Sequence, residues 1–175
     1  MKKLITCIVS VFAIFVLSSK PALAIDREAG SSALPIFRQI LEPDFDYRVY
    51  TLRKFLAKFD SPLTPYSLEF IKTADYYSID WRMVAAISGV ESTFGKQIPG
   101  NSYNAYGWAN GNYSFKSWPD SIQTVSMTLK NQYIDKGATS IAKISHIYAP
   151  PSTTWSGKVK YFMDKINTLP LSFDI

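Results

Sequence analysis

The chain has very few of the side chains that form disulfides, thiolate metal sites and histidine-based sites. It contains one cysteine, Cys7, and one histidine, His146, in 175 residues. Because Cys7 lies in a segment that we expect to be removed, the mature protein would have no thiol for a disulfide or a nucleophile. One histidine cannot build a multi-histidine metal site, and no serine near His146 has the context of a nucleophile elbow. We therefore expect no metal and no cofactor, and a structural or solvent-facing role for His146.

Residues 1–24 have the pattern of a secretory signal peptide. Lys2 and Lys3 give a positive start, residues 4–17 form an apolar run, and Ala22-Leu23-Ala24 has the small residues of a cleavage site. The run is shorter than the roughly 20 apolar residues of a membrane span. We expect cleavage after Ala24 and a secreted protein of the periplasm or the cell wall. The alternative is a segment that is kept as a membrane anchor.

The positive charge of the chain belongs largely to that segment. The formal net charge is +5, and removal of residues 1–24 takes away three lysines and no acid, which leaves 16 basic and 14 acidic residues. A nucleic-acid-binding protein needs a basic patch on its folded domain. The sequence therefore predicts no nucleic-acid partner, and we expect a monomer.

Hydrophobic periodicity predicts a mainly α protein with little β structure. We expect a lead-in segment and helix over residues 25–60 and one main domain over residues 61–168. The predicted helices cover residues 47–60, 65–77, 81–94, 117–133, 140–147 and 155–167. A long loop, rich in glycine, asparagine and tyrosine, is expected over residues 96–115.

Local signals mark where these helices begin and end. Thr64 before Pro65 predicts a cap for the second helix, whose apolar face should contain Leu68. Gly95 is expected to close the third helix. The other predicted N-caps are Asp44 or Asp46, Asp80, and Ser117 with Asp120 as its capping-box partner.

One acidic residue falls on the apolar face of the third predicted helix. On a helical wheel Glu91 lies between Val84 and Ile87, whereas Ser88 and Ser92 fall outside that face. Burial disfavours the charged form of a carboxyl and raises its pKa, and a carboxyl that keeps its proton near neutral pH can protonate a glycosidic oxygen. The alternative is a glutamate that reaches water or pairs with a lysine at the edge of the face.

Aromatic and amide side chains alternate in the loop that follows Glu91. Sugar sites combine aromatic rings with amides and backbone groups, and glycines let the backbone come close to a ligand. We expect Tyr106 and Trp108 to face a groove, although some of these rings should pack on the core instead. The alternating residues are Asn101, Tyr103, Asn104, Tyr106, Trp108, Asn110, Asn112 and Tyr113.

Three segments together resemble the lysozyme-like superfamily. They are Val90-Glu91-Ser92-Thr93-Phe94-Gly95, Asn104-Ala105-Tyr106-Gly107-Trp108 and Phe115-Lys116-Ser117-Trp118. The chain is most similar to the glucosaminidase branch, glycoside hydrolase family 73 or the mannosyl-glycoprotein endo-beta-N-acetylglucosaminidase-like domain, over residues 59–163. The resemblance implies a small α-helical domain with a groove for the glycan strand of peptidoglycan.

The resemblance also implies roles for individual residues. Glu91 matches the general acid, Asn104 and Gly107 match an Asn-x-x-Gly segment that lines the groove, and Tyr148 matches a late tyrosine that faces the acid. Where many members continue with Thr-Asp, this chain has Pro150-Pro151, which removes one acidic candidate. We expect Glu91 and Tyr148 to be catalytic. The expected substrate-binding residues are Ser92, Asn104, Tyr106, Gly107 and Trp108.

The sequence offers no convincing second carboxylate beside Glu91. A two-carboxylate glycosidase needs one at about 5 Å or about 6.5–9.5 Å, but no Asp or Glu lies between Ser92 and Pro119. We therefore expect substrate-assisted hydrolysis by an endo-β-N-acetylglucosaminidase. The alternatives are a lytic transglycosylase, a non-catalytic peptidoglycan-binding module and a membrane-anchored structural partner; residues 107–110 do not match the segment usual in transglycosylases.

Overall fold

The structure is a computed structural model that describes residues 46–167, and these residues form a mainly α protein with no strand. The α-helices are α1 Tyr47–Ala57, α2 Ser67–Tyr77, α3 Met83–Ser92, α4 Trp118–Thr128, α5 Ile141–Tyr148 and α6 Trp155–Asn167. Short 3-10 turns cover Thr64–Tyr66 and Trp108–Gly111, and a π-helical segment, Leu129–Ile134, extends α4. The predicted signal peptide lies outside the described residues.

The first helix begins where the sequence predicts a cap. Of the two candidates, Asp46 is the N-cap, and its carboxylate accepts a hydrogen bond from the backbone N–H of Arg48 at 2.9 Å. The guanidinium of Arg48 also donates to Asp75 on α2 at 2.7 Å. This ion pair links the start of α1 to the end of α2.

The second helix begins later than the sequence predicts. Thr64 is the first residue of a 3-10 turn and its side chain caps nothing, so the expectation that it is the cap is wrong. The extra turn shifts the start of α2 to Ser67, and the buried face then follows residues 67, 70, 71 and 74. Leu68 falls off this face and is 45% exposed, contrary to the expectation.

The third helix lies at the centre of the molecule. Every residue from Met83 to Gly89 is buried, and α3 packs against α6 and α4. Ser88, expected on a polar face, is fully buried, and its hydroxyl is satisfied within the helix by donating to the carbonyl of Ala85 at 2.7 Å. A helix covered on all sides has no solvent face, so its wheel does not separate inside from outside.

The same helix is shorter than expected. It ends at Ser92, because Thr93 and Phe94 adopt left-handed backbone conformations before Gly95 does so too. At the other end, Asp80 accepts from the backbone N–H of Arg82 at 2.9 Å, but α3 begins at Met83 with Arg82 as its N-cap, so the prediction that Asp80 caps this helix is wrong. The chain therefore turns sharply just after Glu91 and leads into the long loop.

The later helices follow their local signals closely. Ser117 and Ser140 cap α4 and α5, and α6 covers the predicted residues. Asp120 accepts from the N–H of Lys116 at 2.9 Å and not from that of Ser117, so the expected capping box is incomplete. No helix within residues 46–167 is both long and apolar enough to cross a membrane.

An aromatic cluster joins α1, the turn after α3, and α6. We define the cluster as Phe55, Phe59, Phe94 and Phe162. The ring of Phe94 is 4.5 Å from that of Phe59 and 5.0 Å from that of Phe162, measured between centroids. The cluster fixes the end of α3, and thus the position from which Glu91 projects.

Candidate active site

Glu91 lies in the last turn of α3, half-buried, with its carboxylate against α6. Its Oε1 atom accepts a hydrogen bond from the indole Nε1–H of Trp155 at 2.6 Å. Trp155 is the first residue of α6 and is itself buried. Because α3 and α6 pack along each other, the two side chains meet although they are 64 residues apart in the chain.

The surroundings of Glu91 raise the pKa of its carboxyl. Burial is the largest cause, because it removes water from the charged form. The hydrogen bond from Trp155 and the positive charge of Lys158 act in the opposite direction and offset only part of this effect. No acidic group of residues 46–167 is among the causes. The carboxyl therefore holds its proton to a higher pH than an exposed glutamate does.

Gly107 brings the backbone of the loop against the other oxygen of Glu91. A Cβ atom at this position would be 2.9 Å from Oε2, and the glycine has a φ of +69°. Both the contact and the backbone conformation favour glycine here. Oε1 and Oε2 of Glu91 thus face different neighbours, an indole N–H on one side and a bare stretch of backbone on the other.

Asn104 holds the turn that follows Gly107. Its side-chain amide donates to the carbonyls of Trp108 at 2.9 Å and Tyr113 at 3.0 Å, and its carbonyl oxygen accepts from the N–H of Trp108 at 3.1 Å. All three bonds are internal and the side chain is buried. The structure therefore places Asn104 as a brace of the loop, with none of its polar atoms left facing a groove.

Tyr148, the last residue of α5, completes the surroundings of Glu91. Its ring stacks on that of Trp155 with centroids 5.0 Å apart, and its hydroxyl donates to the carbonyl of Tyr106 at 2.8 Å. Burial raises the pKa of Tyr148, the negative charge of Glu91 raises it further, and a hydrogen bond from the side chain of Trp108 partly offsets both. The structure thus brings Glu91, Tyr148, Gly107 and Trp108 together.

Ser92 and Tyr106 lie in the core instead of on a groove. The hydroxyl of Ser92 contacts the carbonyl of Ala105 at 2.9 Å and accepts from the N–H of Gly95 at 2.8 Å. Tyr106 is 1% exposed, so the expectation that its ring faces a groove is wrong. Trp108 is half-buried, with its ring against those of Tyr113 and Phe115. Of the two rings expected at a groove, Trp108 alone retains exposed surface.

The sequence analysis did not identify two residues of this site, Trp155 and Lys158. Both are on α6, where the sequence indicates only a helix start and a charged surface position. A shallow groove of about 610 Å³ runs between α3 and α6, and Val90, Thr154, Lys158 and Phe162 are among the residues that line it. Glu91 is not among the residues that line this groove.

Glu91 is the one carboxyl that the described residues place at this site, and they contain no metal-binding cluster. No group of three or more His, Cys, Asp or Glu residues within positions 46–167 is placed to hold a metal ion. What the arrangement can do chemically is to deliver a proton from Glu91 to a ligand near Gly107. The hydroxyl of Tyr148 is close enough to Glu91 to feel its charge, but it already donates to the carbonyl of Tyr106. A scan of protein-family models and a search of curated proteins find no match to this chain.

Proposed function

We propose that this protein is an exported glycosidase that cuts the β-1,4 bonds of the peptidoglycan glycan strand, with Glu91 as its general acid. The observation that carries the proposal is the environment of Glu91, a carboxyl whose pKa burial raises and whose Oε2 is next to the bare backbone of Gly107. An acid of this kind is what protonation of a glycosidic leaving oxygen requires.

The proposed mechanism uses one protein carboxyl. Glu91 gives its proton to the glycosidic oxygen, and the bond from this oxygen to the anomeric carbon breaks as the carbonyl oxygen of the sugar's own N-acetyl group bonds to that carbon; the leaving sugar departs as an alcohol. Glu91, now a carboxylate, then takes a proton from a water whose oxygen bonds to the anomeric carbon and breaks its bond to the acetamide oxygen. Within residues 46–167 no acid contributes to the pKa of Glu91, which supports this route over a two-carboxylate mechanism. We assign Tyr148 the task of orienting the acetamide through its hydroxyl.

The proposal has a direct test in the Glu91→Gln variant. The amide keeps the size of the side chain and an oxygen for the Trp155 hydrogen bond but has no proton to give. A general acid contributes about 10²–10⁴-fold to rate, so digestion of purified peptidoglycan should fall by about a thousandfold, with circular dichroism and wall binding unchanged. Glu69→Gln, which changes the other glutamate of the described residues, is the matched control and should keep full activity.

Mass analysis of the released fragments identifies the bond and the chemistry. Reducing N-acetylglucosamine ends are expected from a glucosaminidase. Reducing N-acetylmuramic acid ends would instead identify the enzyme as a muramidase. Anhydro-muramic ends would show that the reaction is transglycosylation and not hydrolysis. A wild-type protein that binds the wall and releases nothing would overturn the proposal in favour of a binding module. Mass spectrometry of the exported protein should find Ile25 at its N-terminus, whereas residues 1–24 still present would indicate an anchor.

A further inference from the structure

Trp155 forms a hydrogen bond with only one of the two carboxyl oxygens of Glu91. The indole Nε1–H donates to Oε1 of Glu91 at 2.6 Å, and the indole ring is held by its stack on Tyr148. Trp155 is also 4% exposed, so neighbouring side chains fix its position. The donor therefore reaches the carboxyl from one defined direction.

A donor on one oxygen decides where the proton of the carboxyl lies. In a protonated carboxyl the carbonyl oxygen is the better acceptor, and an indole N–H can only donate. Oε1 therefore takes the role of carbonyl oxygen and Oε2 that of hydroxyl. Oε2 is the atom that faces Gly107, where a Cβ atom would be 2.9 Å away. The hydroxyl is thus on the side of the carboxyl where no side chain stands at position 107.

We propose that Trp155 is a positioning residue of this site, which holds Oε1 of Glu91 through its indole N–H so that Oε2 beside Gly107 carries the transferable proton. The inference rests on the proposed function, because the position of the proton matters only if Glu91 donates it to a sugar. Among residues 46–167, Lys158 from α6 and Tyr148 from the end of α5 also interact electrostatically with Glu91. Both remain when Trp155 alone is replaced.

The Trp155→Phe variant keeps an aromatic ring and removes the donor. Because the hydrogen bond from Trp155 lowers the pKa of Glu91, its loss raises that pKa, and the alkaline limb of the pH–activity profile should move to higher pH. We also expect kcat to fall about tenfold at the optimum with KM little changed, because a misplaced acid is less effective. Trp118→Phe, which removes another buried indole that makes no hydrogen bond to Glu91, should shift neither the alkaline limb nor kcat.

A second measurement needs no activity and no Trp155 variant. The chain has 4 Trp residues, so the indole N–H region of a ¹⁵N–¹H spectrum should show few enough signals to follow each one with pH. The Trp155 signal should titrate with the midpoint of the Glu91 carboxyl and should become independent of pH in Glu91→Gln. A Trp155 signal that ignores the ionisation of Glu91 would overturn the inference.

The two experiments separate this inference from the proposed function. If the wild-type protein cleaves glycan normally and Trp155→Phe behaves like Trp118→Phe in kcat and pH profile, the positioning role is wrong and the glycosidase stands. If the wild-type protein cleaves no glycan, both fall together. If Trp155→Phe does not fold, the titration of the indole signal in the wild-type protein decides whether Trp155 holds the carboxyl.

Discussion

Oε2 of Glu91 lies 2.9 Å from the point where a Cβ atom at position 107 would stand, so the acid and Gly107 are matched to each other. The glycine also has a φ of +69°, which a residue with a side chain rarely adopts. Local backbone conformation and the contact with the acid are therefore two separate reasons for glycine at this position, and they can be tested separately.

Gly107→Ala should cost more in activity than in stability. The new methyl group meets the end of a flexible side chain, which can swing aside, so the free energy of unfolding should fall by about 1–2 kcal/mol from the backbone alone. A displaced acid should lower kcat by about a hundredfold. Gly100→Ala, at φ +46° with open space around it, is the control. Equal activity of the two variants in a peptidoglycan digestion would contradict the prediction.

Glu91→Gln should become relatively more stable than the wild-type protein as pH rises. Burial raises the folded pKa of Glu91 above its unfolded value, so the stability that the protonated carboxyl contributes is lost as pH rises through the folded pKa. Glutamine does not ionise and keeps its contribution. Urea unfolding at a series of pH values from 4 to 8 should show a difference in unfolding free energy that starts small and grows. A difference that stays constant with pH would argue against burial of the carboxyl.

Asn104→Ala should destabilise the fold by about 3 kcal/mol. The change removes two donors and one acceptor from backbone groups of Trp108 and Tyr113, and unpaired buried groups cost about 1–3 kcal/mol each. Asn112, in the same loop, is exposed, and its replacement by Ala should stay within about 0.5 kcal/mol. Urea unfolding compares the two. Loss of glycan binding by Asn104→Ala without loss of stability would instead support a direct contact with substrate.

Tyr148→Phe removes the hydroxyl and keeps the ring, so it tests the role of the hydroxyl alone. The stack on Trp155 should persist, and loss of the hydrogen bond to Tyr106 should lower the free energy of unfolding by about 1 kcal/mol. If the hydroxyl orients the substrate, kcat should fall at least about tenfold. Tyr133, whose ring meets that of Tyr148 edge-on, gives the control Tyr133→Phe, with wild-type turnover expected. Matching kinetics of the two variants would leave Tyr148 a structural role only.

The sequence predicts the helices best where short-range chemistry decides them. Asp46 and Ser117 cap their helices as predicted, because a cap needs only the side chain and the next few N–H groups. The end of α3 is missed because Thr93 and Phe94 take left-handed conformations that their residue types disfavour. The bonds of Ser92 and the packing of Phe94 hold them there, and neither is visible in a local pattern.

The sequence likewise predicts some features of the candidate site and misses others. The raised pKa of Glu91 agrees with the sequence prediction, but the wheel does not explain it, because Ser88 and Ser92, predicted outside the apolar face, are more buried than Glu91. The backbone of Gly107 comes close to the carboxyl of Glu91, whereas its close approach to a ligand stays a prediction. The partnership with Trp155 has no sequence signal, because it depends on how α6 packs on α3 across 64 residues of chain. The alternation of rings and amides in the loop does not reveal that Tyr106 and Asn104 turn inward, since residue type alone does not say which ring finds a cavity in the core.

The aromatic cluster has a practical consequence for fragments of this protein. Phe55 and Phe59 come from α1 and its end, and they cover Phe94 at the turn that ends the Glu91 helix. A fragment trimmed to residues 61–168 would lose both rings and expose the apolar surface around Phe94 to water. We expect this fragment to aggregate. A fragment that begins before Asp46 keeps both rings and should stay soluble.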